Sequence, residues 1–500
     1  MRPAKLADSE ERDESEAVPD RFRDHRNELT RRIGSGAIAV VPASTEQVRN
    51  NDVHHEFRQD SDFHYLTGFH EPDAVAVFTP GHDDGDFHLF VLPRDRELET
   101  WTGYRTGREG AKTRFAADSA YEISELSEVL PRLMLGRDTL FYRLGNQRHD
   151  AQMTELVAKS RAVRERYGRS TPIAIHDVAS ILADMRLRKS TAELDSLRAA
   201  CEVSAFGHAE AMRFARPGLY EYQVQAAMEF IWREGGSRRN GYPSIVASGP
   251  NAVILHYVEN DREIEDGDLV LIDAAAEIDM YSSDITRTFP ANGEFTLPQR
   301  AVYEVVLEAE RAGIRAARPG ASLRTVHDAS VDLLVDGLID LGLVPGDPDQ
   351  VHAMHLYREF FMHGTSHWLG LDVHDAGAYR IGGEHRRLEP GMCFTVEPGI
   401  YVSPDRPEVE FTMLEYDLDA RAERRLMLGP AAAKKLEAAE ADGAEKITHR
   451  IPDEFLGIGV RIEDDIAITE DNHENLTYMV PVEMDDIEAL CTEPTWLTRQ

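Results

Sequence analysis

Cysteine is nearly missing from this 500-residue chain: Cys201, Cys393 and Cys491 are the only three, odd in number and far apart. A disulfide scaffold is excluded on that count, and a reducing compartment is expected. Lysine is scarce too. It occurs only at Lys5, Lys112, Lys159, Lys189, Lys434, Lys435 and Lys446, so almost all of the 55 basic residues are arginine. Ninety acidic residues outnumber them and leave a formal net charge of −35. So acidic a surface repels phosphate backbones, and no nucleic-acid partner is expected. No apolar run approaches the ~20 residues that span a bilayer, so no membrane insertion is expected. The opening segment MRPAKLADSEERDESEAVPD lacks the apolar core of a signal peptide; it reads as a solvated acidic tail, and the protein as cytoplasmic.

What is present is the material of a folded globular protein. Hydrophobic residues at 42% and aromatics at 8% exclude wholesale disorder. The length implies two domains. The division expected is a flexible tail over 1–21, a mixed α/β domain over 22–183, and an α+β domain over 184–500. In the first domain DAVAVF (73–78) and DFHLFVL (86–92) flank the turn-rich GHDDG and read as a hairpin. Ser190 and Glu193 fit a capping box at the head of a long helix that ends by Pro217-Gly218. A second helix runs from Glu221 to Glu234 and stops at Gly235-Gly236.

Beyond these helices, acids and histidines gather on or beside strands. Leu269–Asp273 and Asp284–Phe289 read as strands. A reversal near Ile278-Asp279 would set Asp273 opposite Asp284, and two facing carboxylates repel unless a proton or cation lies between them. In FFMHGTSHWLGLDVHD, His363, His367 and His374 fall close together in apolar surroundings. His363 and His367 have the i, i+4 spacing of a helical zinc motif, but Gly364 stands where that motif needs glutamate, and the glycines disfavour a helix. The strand Met392–Val396 ends at Glu397, and in GIGVRIEDDIAITE Arg461 and Glu463 share a face opposite Ile458, Val460 and Ile462. Buried acids on apolar strands need a counter-charge. Four carboxylates and one imidazole are mostly hard oxygen donors, suited to Mn²⁺ or Co²⁺. Their charge matches two divalent ions, which can bridge a water, lower its pKa and polarise a carbonyl.

The segments HEFRQDSDFHYLTGFHEPDAVAVF, LVLIDAAAEIDMYSSDITRTFPANGEFT, MHGTSHWLGLDVHD, EPGMCFTVEPGIY and GIGVRIEDDIAITEDNHENLT resemble, in order, the motif series of the Xaa-Pro aminopeptidases (aminopeptidase P). These are pita-bread metallopeptidases, related to prolidase, creatinase and methionine aminopeptidase. The resemblance implies an α+β pita-bread catalytic domain preceded by a creatinase-like domain. It implies two Mn²⁺ (Co²⁺ or another divalent metal being possible) held by Asp273, Asp284, His367, Glu397 and Glu463, with Asp284 and Glu463 bridging. It makes His256, His363, His374 and Arg461 substrate-holding and catalytic groups beside Glu397, and puts Asp62 and Trp101 near substrate. Trp101 matches a position that reaches a neighbouring subunit's site in oligomeric relatives, so a homo-oligomer, dimer or tetramer, is implied. The implied reaction releases the N-terminal residue from peptides with proline second, by attack of a metal-bridged hydroxide.

Prolidase, acting on dipeptides alone, is the alternative; a catalytically inactive binding module is a reading from another class, disfavoured because all five ligand positions are filled. The chain departs from the pattern between Glu397 and Glu463, where an insertion of about 404–450, rich in alanine and charge, reads as two helical pieces around Gly429-Pro430. It is expected to be a surface excursion, with a lid or an oligomer contact as the other possibilities.

Overall fold

The computed structural model describes residues 19–498. Most of the acidic tail expected over 1–21 lies outside that range, but its last residues do not fit a tail: Asp20 and Arg21 begin helix α1, Asp20–Ile33. Phe22, Leu29 and Ile33 bury one side of that helix. The chain divides into two compact units between Ser190 and Thr191. The boundary expected at 183/184 falls inside the helix Ala179–Leu187.

The first unit is built on a six-stranded mixed sheet. Its strands are β1 (Ala37–Pro42), β2 (Val75–Phe78), β3 (Phe87–Val91), β4 (Ser119–Glu122), β5 (Thr139–Phe141) and β6 (Ala174–His176). In spatial order they run β4-β3-β2-β1-β5-β6. The expected hairpin is the antiparallel β2/β3 pair, with Val77 opposite His88. β1 is antiparallel to β2 and parallel to β5. Its residues Ala37 to Val41 are all buried, the continuous apolar run of a strand covered on both faces.

The second unit opens with two packed helices, α2 (Thr191–Phe214) and α3 (Glu221–Glu234). Gly207 of α2 lets them approach, because a Cβ there would lie 2.1 Å from Trp232 Nε1. The strands that follow carry the acids: β7 (Ile245–Ser248), β8 (Leu269–Asp273), β9 (Ala276–Ile278), β10 (Tyr281–Ser282) and β11 (Thr286–Pro290). After helices α4 (Leu297–Ala316) and α5 (Leu323–Asp340) come β12 (Cys393–Val396) and β13 (Gly399–Tyr401). No helix covers His363 to His374, in keeping with the glycines there. Next are β14 (Glu408–Met413), α6 (Leu418–Leu428), α7 (Pro430–Glu440) and β15 (Glu445–Arg450), followed by β16 (Gly459–Arg461) and β17 (Asp464–Ile468). The insertion is thus a two-stranded ribbon, β14/β15, carrying two helices that break at Gly429-Pro430 as expected.

The register of β8 and β11 corrects one expectation. Asp273 pairs with Thr286, not with Asp284. The reversal falls one residue later than expected, at Asp279 and Met280, which both take positive φ in the two-residue turn between Ile278 and Tyr281. The pairing therefore slips by two residues. An even slip keeps a side chain on its face, so Asp284 still points to the same side as Asp273, displaced diagonally along the strand.

Candidate active site

Five strands and one loop bring the predicted groups together. Asp273 ends β8, and Asp284 precedes β11. Glu397 follows β12, whose Phe394 forms a bridge with Trp368, and Thr395 N–H donates to the His367 carbonyl at 3.1 Å. Glu463 sits between β16 and β17 and bridges to Thr286, its N–H donating to the Thr286 carbonyl at 3.1 Å. Each acid lies where an apolar strand ends or is interrupted, so the sheets themselves hold the carboxylates in place.

The side chains form one connected cluster. One donor atom each from Asp284, His367 and Glu463 lie within 4.8 Å of one another. His367 Nε2 is 3.2 Å from Asp284 Oδ2 and 3.7 Å from Glu397 Oε1. Asp273 joins through the Tyr242 hydroxyl, which lies 2.7 Å from Asp273 Oδ1 and 2.5 Å from Asp284 Oδ1. Arg461 Nη2 donates to Asp273 Oδ2 at 2.6 Å, and Thr286 Oγ1 donates to Glu463 Oε2 at 2.6 Å.

The charge balance favours a cation. Burial, reinforced by Asp284, Glu397 and Asp273, pushes the Glu463 carboxyl well above its usual range. Burial likewise raises Asp284 and brings Glu397 up to about 7. Burial alone would lower His367, but its hydrogen bond to Asp284 and the charges of Asp284 and Glu397 lift it to about 9. So many buried carboxylates side by side repel one another unless a cation lies among them. Glu463 Oε1 is buried with no hydrogen-bond partner. An orphaned carboxylate oxygen next to two further donors, in a set of four carboxylates and an imidazole, fits a divalent metal.

Other predicted groups of the second unit stand around this centre. His374 packs edge-on to His367, ring centroids 4.4 Å apart, and is exposed, as is His256. His363 Nδ1 is 3.6 Å from Glu397 Oε2, and its Nε2 is 2.8 Å from the Tyr401 hydroxyl. Burial and the Arg461 charge hold His363 neutral, down at about 3. Asp62 and Trp101 belong to the first unit. There Asp62 is buried and paired with Arg186 at 2.7 Å, while Trp101 is 86% exposed on the helix Arg96–Thr102.

Three residues of the cluster escape sequence reasoning. Tyr242 lies in the loop after α3, far in sequence from the acids it bonds. Tyr401 links His363 to Arg461, whose Nη1 donates to its hydroxyl at 3.0 Å. Thr286 holds Glu463 and accepts from Arg461 Nε at 3.1 Å; alternation of Thr and Arg in DITRTF was the only signal for it. The insertion is a surface excursion, no residue of α6 being buried, and α6 lines a cavity beside His363.

The model for metallopeptidase family M24 matches residues 195–470, and that for the aminopeptidase P N-terminal domain matches 22–142. The chain is 38% identical to the Xaa-Pro aminopeptidase of Escherichia coli over 478 residues, covering 95% of this chain and 98% of the relative. It is 32% identical to human Xaa-Pro aminopeptidase 3, covering 92% and 82%. Among solved structures, Pseudomonas aeruginosa aminopeptidase PepP is 42% identical with a TM-score of 0.85, covering 95% of this chain and 98% of that one. Escherichia coli aminopeptidase P with the inhibitor Pro-Leu is 38% identical with a TM-score of 0.83, covering 95% and 99%.

Proposed function

The chain belongs to metallopeptidase family M24, with an aminopeptidase P N-terminal domain ahead of its pita-bread catalytic domain, and from that premise we propose how it works as an Xaa-Pro aminopeptidase, hydrolysing the bond before a proline in second position. The observation that carries the reading is the buried cluster of Asp273, Asp284, His367, Glu397 and Glu463, with its orphaned Glu463 oxygen. These five residues would hold two divalent ions, Mn²⁺ first among candidates, which supply Lewis acidity and a more acidic water.

The chain's own groups do the rest. Glu397, at the end of β12 with its carboxylate 3.7 Å from His367 and 3.6 Å from His363, would accept the proton of the attacking water. The free α-amine of the peptide would be anchored beside the metal-holding residues, which makes cleavage an N-terminal event. The bond before proline has no N–H on its nitrogen, so recognition must rest on the ring and the carbonyl. His374 is placed to donate to the carbonyl oxygen as charge develops there. Neutral His363, oriented by Tyr401, and Arg461, fixed on Asp273, shape the wall, and His256 adds a further imidazole. The leaving nitrogen takes its proton from Glu397 as it departs. Substrate contacts by Asp62 and Trp101 belong to the same proposal. So do a cytoplasmic setting, for which three free cysteines speak, and a homo-oligomer, for which the exposed Trp101 speaks. Among the described residues no helix is long and apolar enough to cross a membrane.

The test is a chromatographic time course with Mn²⁺-loaded protein on Arg-Pro-Pro, Arg-Ala-Pro and Gly-Pro. Free Arg from the first, with the other two cut poorly, is expected. Rapid cleavage of Gly-Pro with Arg-Pro-Pro untouched overturns the reading in favour of a dipeptidase.

A further inference from the structure

One cavity in the second unit is charged against the rest of the molecule. It measures about 540 Å³, the scale of a small-ligand site. The loop His363 to Ser366 lines it, and so does helix α6 of the insertion. Leu418, Arg421, Ala422 and Arg425 line it, on the i, i+3, i+4, i+7 spacing of a single helix face. Arg324 and Arg358 complete the wall, and Asp419 is its one carboxylate. Four guanidinium groups to one carboxylate inverts the balance of a chain with 90 acids and 55 bases.

The four arginines are not equally engaged. Arg425 donates to Glu437 through Nε and Nη2, at 2.9 and 2.8 Å, and Arg324 donates to Asp328 at 2.7 Å, so those two are neutralised from behind. Arg421 lies over the Tyr416 ring, 3.4 Å from its centroid, with its nearest carboxylate, Glu440, at 3.7 Å. Its buried Nε has no hydrogen-bond partner. Arg358 donates to the Met362 carbonyl at 2.8 Å and makes no ion pair among the described residues. The charge of this lining comes from the four guanidinium groups, which stay protonated throughout the working pH range.

The insertion is fastened where it lines the cavity. Asp419 accepts from Arg380 Nη2 at 2.6 Å and lies 3.9 Å from Arg324, while His355 Nε2 meets the Tyr416 carbonyl at 3.0 Å. A guanidinium held in place and short of a carboxylate is a preformed carboxylate receptor. His363 is common to this cavity and to the catalytic cluster, since it also approaches Glu397.

We infer that the insertion builds a carboxylate-recognition subsite for the C-terminal part of the peptide, with Arg358 and Arg421 as its binding groups. The inference rests on the aminopeptidase reading above. Polarity orients the substrate: the guanidinium groups repel its α-amino end and attract a carboxylate following the proline. That carboxylate is either the end of a short peptide or an acidic side chain.

The experiment compares initial rates of the Mn²⁺-loaded full-length protein on two pairs of peptides. Ala-Pro-Ala against its amide reads the chain end; Ala-Pro-Asp amide against Ala-Pro-Asn amide reads the side chain. In at least one pair the acid should show a KM lower by about ten-fold with kcat little changed, the scale of one charge-assisted hydrogen bond. The advantage should shrink as salt is raised, and R358Q and R421Q should each reduce it. Equal KM values within both pairs overturn the subsite while leaving the aminopeptidase standing. Cleavage of none of the four removes the aminopeptidase reading and the subsite with it. Variants that slow acid and amide alike assign the arginines a structural role and also overturn it.

Discussion

Arg287 is the strongest single test of how the acidic strands are held. It is fully buried, and its guanidinium donates to the carbonyls of Pro481, Thr286, Glu463 and Val480 and to Asp464 Oδ1, at 3.1, 2.9, 2.6, 3.1 and 2.6 Å. It clamps β11 to the segment that carries Glu463. Arg287→Met keeps much of the volume and removes the charge. Asp464 then retains Thr477 and Asn475 as donors, at 2.7 and 2.8 Å, but has lost its counter-ion. Removing one partner of a buried pair costs about 3–5 kcal/mol. Carbonyls left without donors cost about 1–3 kcal/mol each, but water entering the vacated space offsets much of that, so we expect about 4 kcal/mol in total. The assay is urea unfolding of metal-free protein followed by tryptophan fluorescence, to which the buried Trp232 and Trp368 of the second unit respond. A pH arm fixes the cause. Burial would raise Asp464, but Arg287 outweighs it and holds the carboxyl below its usual range. The pair's stability is therefore present at neutral pH and is lost as pH falls through that lowered pKa. In the variant burial wins, Asp464 takes up a proton more readily, and the deficit should narrow as pH is lowered. A loss below about 1 kcal/mol, or a deficit that widens in acid, refutes the reasoning.

Four further outcomes follow from particular contacts. Glu463→Gln removes a carboxylate already pushed up by burial, so metal-free protein should be no less stable while calorimetric Mn²⁺ binding weakens at least ten-fold. Tyr401→Phe severs the link between His363 and Arg461 and should lower kcat by about 10–100-fold with a stability change within about 1 kcal/mol, read by kinetics and unfolding together. His88, buried against Thr79 in the first unit, is held down to about 4, mostly by burial; the unfolded chain takes a proton near 6.5 that the native state refuses, so stability should fall between those pH values, by up to about 3 kcal/mol, and His88→Asn should flatten that limb of an unfolding-versus-pH curve. Because Met413 pairs with Glu445, a two-residue Asn-Gly turn can replace 414–444; the product, which keeps Arg358 but loses Arg421, should fold and bind Mn²⁺ but show a smaller difference in KM between acid and amide peptides.

Much of this site is readable from local pattern because its donors sit on short apolar strands with clear turn signals. Leu269–Asp273 and Glu221–Glu234 fall where periodicity puts them, since their apolar faces are what the core buries. The glycines after His363 rightly argue against a helix. The β8/β11 register is less legible: Met280 is an unusual residue to take positive φ in a turn, and Ile278-Asp279 competes with Asp279-Met280 for the reversal. That error leaves Asp284 on its predicted face only because the slip is even. Tyr242 and Tyr401 carry no local mark, for a hydroxyl that meets two carboxylates across the fold is a product of tertiary packing. The same is true of the insertion, whose arginines read as ordinary surface charge until α6 turns them towards His363.

The most direct measurement is a titration of chelator-treated protein with Mn²⁺, counting bound metal per chain by elemental analysis while following release of Arg from Arg-Pro-Pro. Two ions bound per chain and turnover that appears only with metal are the predicted result. Full turnover in protein that carries no metal contradicts the central claim that these five side chains work by holding divalent ions.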